Sequence, residues 1–263
     1  MSIGGSTPEK ELAALVAPTL VPAITAAERE GRIEKARSLI RAAGADALLI
    51  GRGASLDYFA GIAGGASERL MALLVPVSGK PVLIGPYFEA GSMQAALEIE
   101  ADLRLWQEEE SPSALVGAAM RDMGYSKLAI DPDMAISMVL ALGRATSLVI
   151  LDGAPVVFGC RMHKSETEIA ILQQAMNMTL TVQKAVARII AEGMAADDIV
   201  QFIDAAHRKL GSAGSSFCIV QFGRGTAFPH GLPGVQRVKE NDLVLVDTGC
   251  WLHGYSSDMT RTY

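Results

Sequence analysis

The sequence predicts an α/β layered domain followed by an α+β domain, and three observations support this. Short apolar strands alternate with helices up to about residue 152, the pattern of a layered domain with a mixed sheet. After Ser165 the pattern changes to two consecutive helices, and then to strand-like segments that read as an antiparallel sheet. Between them, "GAPVVFGCRMHK" reads as a linker carrying a short extended piece. The expected organisation is an arm over 1–27, an α/β domain over 28–157 and an α+β domain over 158–263. The chain has 263 residues, half of them hydrophobic. That suits one large or two ordinary domains with a sizeable core.

Taken in order, residues 1–25 read as a loose or partly helical arm. "AAEREGRIEKARSLIRAAGA" predicts a helix with Ile33, Ala36, Leu39 and Ile40 on one face and Gly44 as its stop. "DALLIG" is a short apolar strand, and "RLMALLVPVSGKPVLIGP" reads as two strands joined by a turn at Ser78–Gly79. "PYFEAGSMQAALE" is a helix, "ADLRLW" a strand, "SALVGAAMRDMG" a helix, "KLAID" a strand, "DMAISMVLALG" a helix and "SLVILD" a strand. Ser165 and Glu168 have capping-box spacing at the head of a long helix that Gly193 closes. "AADDIVQFIDAAHRKLG" is a second helix. "SSFCIVQFG", "LVLVDTGCW" and "GYSSDMTRTY" follow as strands.

Composition excludes several classes. The formal net charge is −6, with 23 basic and 29 acidic residues, and the lysines and arginines are scattered. This argues against nucleic acid or an anionic membrane as partner and for a small-molecule or peptide ligand. Cys160, Cys218 and Cys250 are too few and too scattered for a disulfide framework or a zinc ribbon, and are expected to be reduced in a cytosolic protein. The N-terminus lacks a basic start and is broken by Pro18 and Pro22, unlike a secretory signal. No apolar run reaches the roughly 18 residues of a membrane span. Solenoid-type repeats and low-complexity tracts are absent.

The segment "VDTGCWLHGYSSD" reads as a hairpin turning at Leu252–His253, which places Asp247 and Asp258 directly opposite, with Cβ atoms about 4.5–5.5 Å apart. A bulge at Gly254 would shift that register by one. Opposed like charges destabilise a sheet, so one carboxyl is protonated or a cation lies between them. Hard divalent ions favour such oxygen donors. The apolar "LVLV" ahead of Asp247 places that carboxylate in a partly buried site, where a cation would offset the burial. The competing reading sets both aspartates on the water-facing side of the sheet, and their spacing alone does not decide. His163 and His207 read as surface residues and His253 as a solvated turn tip. His230, between Pro229 and Gly231, reads as an ordinary loop residue, or, beside a carboxylate site, as a proton shuttle or oxyanion donor.

"VDTGCWLHGYSSDMTRTY" resembles the metal-binding hairpin of the pita-bread metallopeptidases, which include methionine aminopeptidase, aminopeptidase P, prolidase and the creatinase-like proteins. "PHGLPG" lies upstream at the spacing that proline-specific members use for their active-site histidine. "RMHKSETEIAILQQA" resembles the segment that opens their catalytic domain, and the preceding region is similar to the creatinase-type N-terminal domain. The resemblance implies a creatinase-like α/β domain followed by a pita-bread catalytic domain, and a hydrolase that cleaves the bond before proline. By that resemblance Asp247 binds one metal and Asp258 bridges two. His230 contacts the substrate carbonyl or the tetrahedral intermediate, and Thr260 supports a metal or its water. Two metals would acidify a shared water and clamp the intermediate. Manganese suits carboxylate-rich ligation, with cobalt or zinc as alternatives. A proline-containing dipeptide or peptide is the implied substrate, a homodimer the implied assembly and the cytoplasm the implied location.

The same resemblance implies a later His and two Glu ligands, and these lie outside the sequence. The expectation is therefore a truncated catalytic domain, a fragment inactive by itself with weak or no metal binding. Two other readings keep the fold: a creatinase-like or other non-peptide hydrolase or lyase, and a non-catalytic binding protein.

Overall fold

The computed structural model describes residues 3–65 and 67–263. These residues divide into two compact units, one of residues 24–164 and one of residues 165–263 joined by the N-terminal residues up to 23. The division falls at 164/165 rather than 157/158, and the N-terminal arm folds with the second unit.

In the arm, α1 (Pro8–Ala14) is capped by the Thr7 hydroxyl. In the 24–164 unit, α2 (Ala26–Ala42) leads into β1 (Ala47–Gly51), and Gly44 has φ 70° where the helix stops. The short helix α3 (Ala54–Ala60) follows, then β2 (Ala72–Pro76), β3 (Val82–Pro86), α4 (Ala90–Ala96) and β4 (Asp102–Trp106). Next come α5 (Pro112–Asp122), β5 (Lys127–Ile130), α6 (Ile136–Ala145), β6 (Val149–Asp152) and α7 (Ala154–Arg161). The strands form one mixed sheet in the order β4-β3-β2-β1-β5-β6. β1 runs antiparallel to β2 and parallel to β5.

Period-two alternation explains why this sheet is covered on both faces. Leu48, Ile50, Leu73 and Val75 face one cluster with Ile33, Ile40 and Phe59. Ala47, Leu49, Ala72 and Leu74 face the other, with Val116, Met120 and Leu142. The expected linker with an extended piece is instead helix α7. Its Val-Val-Phe run has strand-like composition, but Pro155 suits a first helical turn and the Asp152 carboxylate accepts from Ala154 N–H (2.8 Å). Val156, Val157 and Cys160 then lie at helical spacing and are wholly buried in the first cluster.

In the second unit, α8 (Glu166–Ile189) begins with the expected capping box and α9 (Ala196–Lys209) follows. β7 (Ser215–Phe222), β8 (Val244–Leu252), β9 (Tyr255–Ser256) and β10 (Met259–Thr262) pair antiparallel in the order β10-β8-β7, with β9 on β8. α8 buries Ile171, Ala175, Met178, Val182 and Val186, a stripe at three- and four-residue spacing. α9 buries Ile199, Phe202, Ile203 and Ala206 in the same manner.

Candidate metal centre

The hairpin turns at His253–Gly254, one residue later than the sequence suggested. His253 has φ 49° and Gly254 φ 82°, the left-handed pair that a tight two-residue hairpin turn requires. Trp251 pairs with Ser256 and Leu252 with Tyr255, and across β8 and β10 Asp247 pairs with Thr260. The expected direct opposition of Asp247 and Asp258 is therefore corrected. Asp258 lies two residues before the partner of Asp247, which in a regular ladder makes it a diagonal neighbour at about 7–8 Å on the same face.

Asp247 is half-buried and Asp258 exposed. The Thr260 hydroxyl donates to Asp247 Oδ1 at 2.8 Å, which orients that carboxylate and leaves lone pairs on both oxygens. Gly249, between them in sequence, has a steric role: a Cβ there would collide with the Ser257 carbonyl oxygen. The peptide that leads into Asp258 thus presses on a position where only glycine fits.

His230 is exposed, on the loop after the 3₁₀ turn Gly223–Ala227. That loop is anchored by Gln221, whose side-chain amide donates to the Phe228 carbonyl at 2.6 Å. His230 lines a cleft of about 370 Å³ together with Cys218, Ile219, Gln221 and Leu232. Ile219 is the β7 partner of Asp247, so the cleft and the aspartate hairpin meet on one sheet. Burial pushes the Cys218 thiol up to about 11, so it is a poor nucleophile.

Three polar residues escaped the sequence reading. His207 is wholly buried rather than on the surface. Burial lowers its imidazole to about 4, and it stays neutral. Its ring nitrogens lie 3.2 Å from Thr179 Oγ1 and 3.0 Å from Ser215 Oγ. Gln183 is also buried, and its amide donates to the carbonyls of Val246 and Met259, both at 3.0 Å, clamping β8 to β10. Thr179 and Gln183 sit four residues apart within the buried stripe of α8, a polar intrusion visible in the sequence. His207 likewise extends the 199–203–206 stripe of α9. His163 is exposed, and exposed His253 donates from Nε2 to the Val21 carbonyl at 2.9 Å.

Asp247, Asp258 and Thr260 offer the hard oxygen donors that divalent ions prefer. Their number falls short of a full set, since among the described residues no group of three or more His, Cys, Asp or Glu side chains converges to hold a metal ion. No helix among the described residues is long and apolar enough to cross a membrane.

Residues 32–163 match the family model of the creatinase/prolidase N-terminal domain, and residues 170–263 match that of metallopeptidase family M24. The probable dipeptidase PepE of Mycobacterium tuberculosis is 31% identical over 235 residues, covering 88% of this chain and 62% of that protein. The putative dipeptidase YkvY of Bacillus subtilis is 29% identical, covering 88% of this chain and 65% of that protein. Among solved structures, dipeptidase PepE from Mycobacterium ulcerans superposes with a TM-score of 0.82 at 27% identity, over 92% of this chain and 66% of that one. A prolidase from Thermococcus sibiricus gives 0.79 at 25% identity, over 89% and 65%. The chain spans less than two thirds of the length of the curated relatives it matches.

Proposed function

Because this chain belongs to metallopeptidase family M24 and carries a creatinase/prolidase-type N-terminal domain, we propose that it forms part of a dinuclear metal-dependent exopeptidase that cleaves the bond before proline. The observation that carries this reading is the hairpin itself. Thr260 orients Asp247, the β7 partner of Asp247 is the cleft residue Ile219, and Asp258 lies two residues before Thr260 on the same hairpin. Its structural neighbours include an Xaa-Pro dipeptidase and a prolidase, and that supports the proline preference.

In this proposal Asp247 and Asp258 would be among the residues that hold the divalent ions, with manganese the best match to carboxylate donors. Divalent ions, when bound, supply the Lewis acidity that makes water a nucleophile near neutral pH. Thr260 keeps Asp247 in one orientation, so the carboxylate does not have to be ordered when an ion arrives. His230, at the mouth of the cleft, donates a hydrogen bond to the carbonyl oxygen as negative charge develops there. The cleft's apolar walls at Ile219 and Leu232 receive the substrate side chain and limit water. A homodimer in the cytoplasm completes the proposal.

Two aspartates are a weak site, so residues 1–263 alone are expected to bind metal poorly and to show no turnover. The test is hydrolysis of Ala-Pro against Ala-Ala by the protein from its natural source, loaded with Mn²⁺. Preference for Ala-Pro is expected, and equal rates would overturn the proline assignment. Turnover by residues 1–263 alone would overturn the expected inactivity.

A further inference from the structure

We infer that Thr179, His207 and Ser215 form a buried hydrogen-bonded relay that positions Asp258 through Ser257. The inference rests on the reading of Asp258 as a metal ligand. The starting observation is a gap in the sheet. β9 ends at Ser256 and β10 begins at Met259, so Ser257 and Asp258 lie outside both strands. The chain is held there by side chains instead. Cys250 N–H donates to the Ser257 hydroxyl at 2.9 Å, and Ser257 N–H donates to the Cys250 carbonyl at 3.1 Å. On the other side, the Ser257 carbonyl rests on the bare Cα of Gly249.

The Ser257 hydroxyl is fixed in turn. It shares a 2.7 Å hydrogen bond with Thr179 of α8, whose hydroxyl faces Nε2 of His207 on α9. Nδ1 of His207 faces the hydroxyl of Ser215 at the start of β7. Ser257 is 1% exposed, and Thr179 and His207 are 0% exposed. A neutral imidazole offers one donor and one acceptor. It can therefore set a single direction for the hydroxyl protons along the row, with each buried hydroxyl satisfied. Such rows are worth having buried only when every member is paired. This one joins both long helices and both long strands of the unit to the single residue that precedes Asp258. These are positioning residues: they touch neither the proposed ions nor the substrate.

The test uses the 263-residue chain with Mn²⁺, read by the electron paramagnetic resonance signal of free aqueous Mn²⁺. Asp258→Asn tests the ligand reading, and Thr179→Val tests the relay. Thr179→Val is expected to weaken Mn²⁺ binding about tenfold, as losses behind a metal ligand do. Thr179→Ser is expected to restore it to within about threefold on the same grounds. Ile199→Ala, a buried change on α9 outside the relay, controls for general destabilisation and should leave Mn²⁺ binding unchanged. Normal binding by Thr179→Val, with binding lost in Asp258→Asn, overturns the relay alone. Equal weakening by Ile199→Ala also overturns it. Normal binding by Asp258→Asn overturns the ligand reading and the relay with it. Amide hydrogen exchange in the metal-free chain gives a second readout, which serves even where Mn²⁺ binding is too weak to detect. Thr179→Val should speed exchange at Cys250 and Ser257 relative to Val246, and unchanged exchange at both amides overturns the inference.

Discussion

The two sheets are built by different means. The six-stranded sheet of the 24–164 unit is held by alternation: each strand sends one set of apolar side chains to each covered face, and its central strands are almost entirely buried. The hairpin of the second unit is held by particular contacts at a few points, among them a glycine under a carbonyl, a serine in place of a ladder bond and a glutamine across two strands. A sheet of the first kind tolerates any apolar residue of about the right size. A sheet of the second kind tolerates little, because each contact depends on one functional group in one place. Apolar alternation aligns a whole face of a sheet, whereas a single polar group such as the Asp247 carboxylate is oriented by a single contact.

The comparison can be broken first at Gly249. Gly249→Ala drives a methyl into the Ser257 carbonyl, and the backbone must move. A loss of more than about 3 kcal/mol in urea unfolding of the second unit is expected. In the other sheet, Leu49→Ala is expected to cost about 3 kcal/mol by leaving a cavity, while Mn²⁺ binding stays as it was. Isoleucine at that position should recover most of the loss, which no substitution at Gly249 would do.

Acid sharpens the contrast next. The folded state holds His207 near 4 against 6.5 for the free side chain, with Asp204 opposing the effect of burial. The unfolded chain therefore binds more protons between those values. The stability from neutral His207 is complete above about 6.5 and is lost as pH falls towards 4. From pH 7 to pH 5 this amounts to about 2 kcal/mol. Urea unfolding at both pH values should show that loss in the wild type and not in His207→Gln, and equal losses would refute it. Ser165→Ala removes the hydroxyl that caps α8 and should lower stability by about 1 kcal/mol in the same measurement. Arg104→Ala, at an exposed pair with Asp122 on the first unit, should change it by less than about 0.5 kcal/mol.

Most of the first unit was legible because its signals are redundant. Several apolar residues per strand vote for the same face, and turns such as Ser78–Gly79 carry their own chemistry. Helix α7 was missed because Val156 and Val157 favour strands by composition, while Pro155 and the Asp152 cap favour a helix by position. The hairpin was found, but its register was not. His253 takes a left-handed conformation beside Gly254, and placing the turn one residue early moved the partner of Asp247 from Thr260 to Asp258. His207 reads as a surface residue by its type, although its position on the α9 stripe points inward. Ser257 carries no signal except its place, which only the fold reveals.

The N-terminal arm has a consequence for how the chain is made. Gly4 and Ser6 donate backbone hydrogen bonds to the carbonyls of Ala187 and Arg188, and Glu11 pairs with Arg188 at 2.6 Å. The arm precedes the 24–164 unit in the chain, yet its partners emerge from the ribosome only after the whole of that unit. At roughly 5–20 residues per second, that is a wait on the order of ten seconds or more. The first unit can fold meanwhile, because its sheet draws on no residue beyond 164. The first unit is in effect an insertion within the second. Closing the loop between arm and α8 is a late, long-range step that costs entropy once and is made less costly when the inserted unit is already compact.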